Sequence, residues 1–114
     1  MEKNNTEFGL KEYELDIIID CISKFTEVES ALIFGSRAKG NYKLSSDIDI
    51  AIFGEKINFD IVSDIHYFLN EVSDLLYSVD VINFESLRED ALKDHINRIG
   101  KKIYTRHIDE SSYK

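Results

Sequence analysis

Two stretches of the chain repeat apolar residues at spacings of three and four. Tyr13, Ile17, Ile18, Cys21, Ile22 and Phe25 form one stripe, which predicts a first helix. Ile61, Val62, Ile65, Phe68, Leu69, Val72, Leu75 and Leu76 predict a second, longer helix, with Asn58 as its N-cap. A third helix is expected after Ser86, where Ser86 and Glu89 read as a capping box. Leu87, Ala91, Leu92, Ile96 and Ile99 give its stripe, and Gly100 ends it. Between these stretches lie three short runs with strand character. Ala31-Leu32-Ile33-Phe34 is stopped by Gly35, Ile48-Asp49-Ile50-Ala51-Ile52-Phe53 by Gly54, and Val79-Asp80-Val81-Ile82 is shorter. The order is helix, strand, short helical turn, strand, long helix, strand, helix, an α/β class with a small sheet. The stretch from His107 to Lys114 is polar and is expected to fray.

Length and composition narrow this to one domain, residues 1–114, with its core at about 10–104. A chain of 114 residues buries roughly 65% of its extended surface, enough for one modest core. The balance of 43% hydrophobic and 32% charged residues is globular rather than disordered. A single cysteine, Cys21, excludes an internal disulfide framework and fits a reducing compartment. No apolar run approaches the roughly 20 residues that cross a bilayer, and Met1-Glu2-Lys3-Asn4-Asn5 opens no signal peptide, so a cytoplasmic protein without membrane partners is expected. The net charge of -8 argues against free nucleic acid as a main ligand, because backbone binding runs on phosphate neutralisation.

The candidate chemistry is concentrated between Ala31 and Phe53. Residues i and i+2 of a strand share a face, so Asp47 and Asp49 project together, about 6.5 to 7 Å apart at their Cα atoms. Ile48, Ile50 and Ile52 are left to face the core. Two adjacent carboxylates repel unless a cation lies between them, and hard ions such as Mg²⁺ take carboxylate oxygens and share their sites with substrate phosphates. Upstream, Gly35-Ser36 ends a strand where the backbone can turn sharply and a ligand can come close. A helical turn over residues 36–40 would direct free N–H groups at an anion, with the Ser36 hydroxyl as a further donor. Taken singly, Asp-x-Asp is also an ordinary polar strand end and Gly-Ser an ordinary turn.

Together they are far more specific. An apolar strand, Gly35-Ser36, ten intervening residues, Asp47-x-Asp49 and a second apolar strand resemble the nucleotidyltransferase signature of the DNA polymerase β superfamily. The run Gly35-Ser36-Arg37-Ala38-Lys39-Gly40 followed by Ser46-Asp47-Ile48-Asp49 is similar to the minimal nucleotidyltransferases, with Lys39 where arginine is commoner. The resemblance implies the nucleotidyltransferase fold, a small mixed three-stranded sheet packed with helices. It implies a third carboxylate on the neighbouring strand, for which Asp80 is the candidate and Glu85, beyond the strand, the poorer one. It also implies two Mg²⁺ ions held by Asp47, Asp49 and Asp80, with ATP as substrate. Gly35 and Ser36 would then hold its outer phosphates. Arg37 and Lys39 could neutralise the triphosphate or be plain surface cations. His66, His95 and His107 have no metal-ligand spacing. Cys21 reads as a core thiol, and Tyr42 as a base-stacking residue or a cover for its turn.

Larger members of the superfamily carry an added helical domain for the acceptor, and the few residues after Arg106 are too short for one. The resemblance implies that another protein brings the acceptor: a small all-helical HEPN-type RNase toxin, which the enzyme would silence by transferring AMP from ATP to a tyrosine. An acidic protein suits a basic RNA-binding partner. Two other readings remain open at the level of sequence. One is transfer to a small molecule such as an aminoglycoside, and the other is stoichiometric, non-catalytic binding of a toxin.

Overall fold

The computed structural model describes residues 7–106, so the polar tail from His107 onward lies outside the described residues. Helix α1 spans Glu12–Ser23 and starts where the Lys11 N–H donates to the Glu14 carboxylate at 2.9 Å. Strand β1 (Ser30–Phe34) runs directly into the short helix α2 (Gly35–Lys39), which ends at Gly40 in a left-handed conformation (φ 93°). Strand β2 covers Ile48–Phe53. Helix α3 (Phe59–Tyr67) is capped as expected by Asn58, whose side-chain oxygen accepts from the Ile61 N–H at 2.9 Å. Strand β3 (Val79–Asn83), helix α4 (Asp90–Ile99) and strand β4 (Lys101–Thr105) complete the order.

The sheet is mixed, in the order β3-β2-β1-β4. β1 is antiparallel to both β2 and β4, and β2 is parallel to β3. Four strands replace the three expected from sequence. β4 is missing from the hydrophobic pattern because it is an edge strand whose Lys101, Lys102 and Thr105 are exposed. Its pairing rests on ladder bonds to β1 and on Arg106, whose guanidinium donates to the carbonyls of Val28, Ser23 and Phe25 at 3.2, 3.1 and 3.0 Å.

Two further expectations are corrected. The second helix stops being α-helical at Tyr67 and continues as one π-helical turn, Phe68–Val72. Leu76 therefore lies in the following loop, 90% exposed, and Val72 is also exposed. The capping box of Ser86 and Glu89 does not form. Ser86 belongs to a 3-10 turn (Phe84–Ser86), where its hydroxyl donates to the Asn83 carbonyl at 3.0 Å, and Glu89 precedes α4 without a side-chain cap.

The strand alternation divides the core between the two sheet faces. Ile33, Ile48, Ile50, Ile52, Val79 and Val81 face α1, α3 and the π-helical turn, in one cluster with Ile18, Cys21, Ile22, Ile61, Ile65 and Leu69. Phe34 and Ala51 on the other face meet Ile96 of α4. Burying a side chain of this size contributes roughly 1.5–3 kcal/mol. Both faces are thus covered, and the polar chemistry is confined to one end of the strands.

Candidate active site

That end is built where β1 finishes and β2 and β3 begin. Phe34 pairs with Asp49, and Asp49 pairs with Asp80 across the parallel ladder. Neighbouring strands lie about 4.8 Å apart, so the carboxylates of Asp49 and Asp80 start from adjacent positions on the same face. Asp47 sits one residue before β2, exposed, and Asp80 is also exposed. Ile48, Ile50 and Ile52 are fully buried on the opposite face, as the period-2 pattern requires.

The electrostatics follow from this register. Asp49 is half-buried, and its carboxyl is held above the ordinary carboxylate range. Burial is the main cause, followed by the charges of Asp80 and then Asp47, with the nearby His95 opposing them. Asp80 and Asp47 are thus near enough for their charges to oppose ionisation of Asp49. His95, a histidine without metal-ligand spacing in the sequence, is brought to this site by the fold. It lies on α4 edge-on to Phe34, with ring centroids 6.1 Å apart. Its spacing of three from Leu92 and four from Ile99 is the available signal, because it places His95 on the same side of the helix as Leu92, which packs toward the sheet.

Gly35 lets this carboxylate approach the turn. Its φ is 76°, and a Cβ built there would run into the Asp49 carboxylate. A side chain at 35 would thus meet both backbone strain and a clash. Ser36 follows in the first turn of α2, and Lys39 lies exposed near its end. Glu85 sits in the 3-10 turn past Asn83, which pairs with Ile52. It is therefore at the far end of β3 from Asp49.

Arg37 is placed differently from the triphosphate contact considered for it. It is 1% exposed. Its Nε donates to the Ser46 carbonyl at 3.0 Å, Nη1 to Phe8 at 2.8 Å and Nη2 to Leu44 at 3.2 Å. The guanidinium lies against the rings of Tyr77 and Tyr42, 4.5 and 5.3 Å from their centroids. Tyr42 is thereby a cover for the arginine.

The donor set suits a hard divalent cation: carboxylate oxygens around an acid whose ionisation is opposed by its neighbours. Among the described residues no three carboxylate, histidine or cysteine side chains close on one point. The described residues thus bring carboxylates to one end of the strands without forming a complete cage. Mg²⁺ is commonly held in this way when phosphate oxygens and water supply the remaining ligands.

The same architecture recurs in solved structures. A toxin–antitoxin complex with AMP-PNP superposes with a TM-score of 0.66 at 21% identity, over 91% of this chain and 81% of that one. A mutant MntA–HpeT toxin–antitoxin complex gives 0.66 at 19% identity, over 87% and 79%. A tri-AMPylated HEPN toxin in complex with MNT antitoxin from Shewanella oneidensis gives 0.64 at 19% identity, over 90% and 78%. At these identities the likeness is one of fold. No curated protein matches the chain by sequence. The family model for polymerase beta nucleotidyltransferases matches residues 16–109, which include the glycine-serine turn and all three acids. Covering most of the sequence, that match establishes that the chain belongs to the polymerase beta nucleotidyltransferase family.

Proposed function

We propose that the protein is a Mg²⁺-dependent adenylyltransferase that moves AMP from ATP to a hydroxyl, most simply a tyrosine, of a helical HEPN-type RNase toxin, and so acts as its antitoxin in the cytoplasm. The observation that carries the reading is the in-register pair Asp49–Asp80 beside Asp47, facing a glycine whose missing Cβ leaves room for the Asp49 carboxylate. The family membership supports the reaction type. The antitoxin role is drawn from the neighbours, among which one complex holds AMP-PNP and another contains an AMPylated toxin.

In this reading the acceptor oxygen attacks the α-phosphorus of ATP, forming a P–O bond. The bond from that phosphorus to the bridging oxygen breaks, pyrophosphate leaves, and the hydroxyl proton is released. Two Mg²⁺ ions would supply charge neutralisation at the phosphates and lower the pKa of the attacking hydroxyl. Asp47 and Asp49 would hold them, and Asp80, exposed at the start of β3, would act on the side from which the acceptor comes. The Gly35–Ser36 turn would hold the outer phosphates, with Lys39 as an exposed cation beyond. Arg37 is left out of the phosphate contacts because its donors are directed at backbone carbonyls. The chain's contribution is then positioning and fixed charge.

Intact-mass spectrometry of a HEPN-type partner co-expressed with this protein tests the reading. A gain of one or more AMP masses is expected, abolished by Asp47→Ala with Asp49→Ala. An unmodified partner that is nonetheless inhibited in a stable complex would overturn catalysis in favour of stoichiometric binding. AMP transfer to a small molecule and not to the partner would overturn the protein acceptor.

A further inference from the structure

We infer that Arg37 is a positioning residue for Asp47: it fixes the loop that presents this carboxylate and ties that loop to the start of β3. The inference rests on the reading of Asp47 as a metal ligand. Asp47 has no strand of its own, since β2 begins at Ile48. Its backbone is nevertheless held on both sides. On one side the Ser46 carbonyl accepts from Arg37 Nε at 3.0 Å. On the other the Ile48 N–H donates to the Ser78 carbonyl at 2.9 Å. The preceding turn is closed on itself, with the Lys43 N–H donating to the Ser46 hydroxyl and the Ser46 N–H to the Lys43 carbonyl, at 2.8 and 3.0 Å. Arg37 adds a second bond into that turn through Leu44.

The remaining contacts explain why the residue is arginine. Nη1 reaches back to the Phe8 carbonyl, so one rigid group joins the N-terminal 3-10 turn (Glu7–Gly9), the loop before β2 and, through Tyr77, the loop before β3. Carbonyl dipoles on the edge of the guanidinium and aromatic faces against its plane compensate the buried charge. A lysine ammonium is a point charge with its three donors on one atom, and it cannot span three carbonyls in different directions while stacking between rings. Partners that orient metal ligands typically change metal affinity 10- to 100-fold when replaced.

The test is Arg37→Lys, read by calorimetry of Mg²⁺ binding in the presence of AMP-PNP and by the Mg²⁺ dependence of transfer. The Mg²⁺ dissociation constant is expected to rise at least about tenfold, with ATP half-saturation at saturating metal within about threefold of wild type. In an Asp47→Asn background the same substitution is expected to change metal binding by less than about twofold, because coupled residues are not additive. Weaker ATP binding with unchanged Mg²⁺ affinity would overturn the inference and make Arg37 a phosphate ligand. Equal effects in both backgrounds would also overturn it. Should Arg37→Lys fail to fold, Arg37→Gln, whose single shorter amide cannot keep all three hydrogen bonds, replaces it, and an unchanged Mg²⁺ affinity in that variant overturns the inference. Wild-type protein that binds AMP-PNP equally well without Mg²⁺ would instead overturn the functional reading on which this rests.

Discussion

Asp49 is the residue on which the site's charges converge, and its ionisation opposes folding. With its carboxyl raised above the ordinary value of 3.8, the folded protein binds more protons than the unfolded chain between that value and the raised one. Stability from this group therefore falls as pH rises through that window, and the penalty is complete above it. Metal-free Asp49→Asn is expected to melt at a higher temperature than wild type at pH 7. The gain should vanish as pH is lowered below the window, which thermal denaturation across pH measures. A lower melting temperature at neutral pH would contradict this account. Mg²⁺ with AMP-PNP at about a hundred times its dissociation constant should stabilise wild type by about 2.7 kcal/mol and leave the variant unchanged. Asp80 is separable from this pair because it stands on the adjoining strand. Asp80→Asn should bind Mg–ATP within about threefold of wild type, roughly 0.7 kcal/mol. Transfer should slow at least about a hundredfold, the mark of an interaction made chiefly in the transition state. Calorimetry and single-turnover transfer on one preparation decide it, and loss of binding together with rate would put Asp80 in the shared metal set.

At the scale of elements, the start of β3 depends on the π-helical turn that interrupts the second helix. Asn70 faces β3 from that turn. Its amide nitrogen donates to the Val79 carbonyl, and its oxygen accepts from the Val79 N–H, both at 2.8 Å. A side-chain amide thus completes the main-chain bonding of the residue beside Asp80, and Val79 is itself buried. Asn70→Ala leaves both groups short of partners and should cost about 1–3 kcal/mol of stability, measured by urea denaturation. It should also lower kcat for transfer more than it raises the KM for ATP, since Asp80 would lose its fixed position. Unchanged stability would mean that water replaces the amide. The apolar stripe of the second helix reads straight through this region because Phe68 and Leu69 still meet the core. Periodicity alone therefore cannot tell a helix that continues from one that loosens by a residue to bring Asn70 onto the strand.

The whole molecule is a sheet covered on both faces, and Cys21 reports on its integrity. The thiol lies among the residues packed between α1 and the sheet, and burial pushes it up to about 11, with Lys24 opposing and Asp20 adding slightly. At pH 8 the thiolate, the form that reacts, is then a minute fraction. Alkylation by iodoacetamide in the native state should be at least about a hundredfold slower than in urea-unfolded protein. Ligands that stabilise the fold should slow it further. Equal rates in the two states would show that α1 opens without the rest of the domain.

Some of this was decided by the sequence alone. Alternation in Ile48–Phe53 and the apolar runs around it are local properties of the chain. The strand-turn-strand unit, the turn at Gly35 and the capped start of α3 follow from them without further information. Other features depend on contacts between residues far apart in the chain. The alignment of Asp80 with Asp49 requires the parallel register of β2 and β3, which a one-residue slip would reverse. Pairing of β4 depends on β1 and on Arg106 reaching the end of α1. The burial of Arg37 depends on a carbonyl at Phe8 and a ring at Tyr77, far from it in sequence on either side. An arginine after a glycine-serine turn has the same local signal whether it faces a phosphate or the interior. Only the packing of these distant segments around its guanidinium turned it inward.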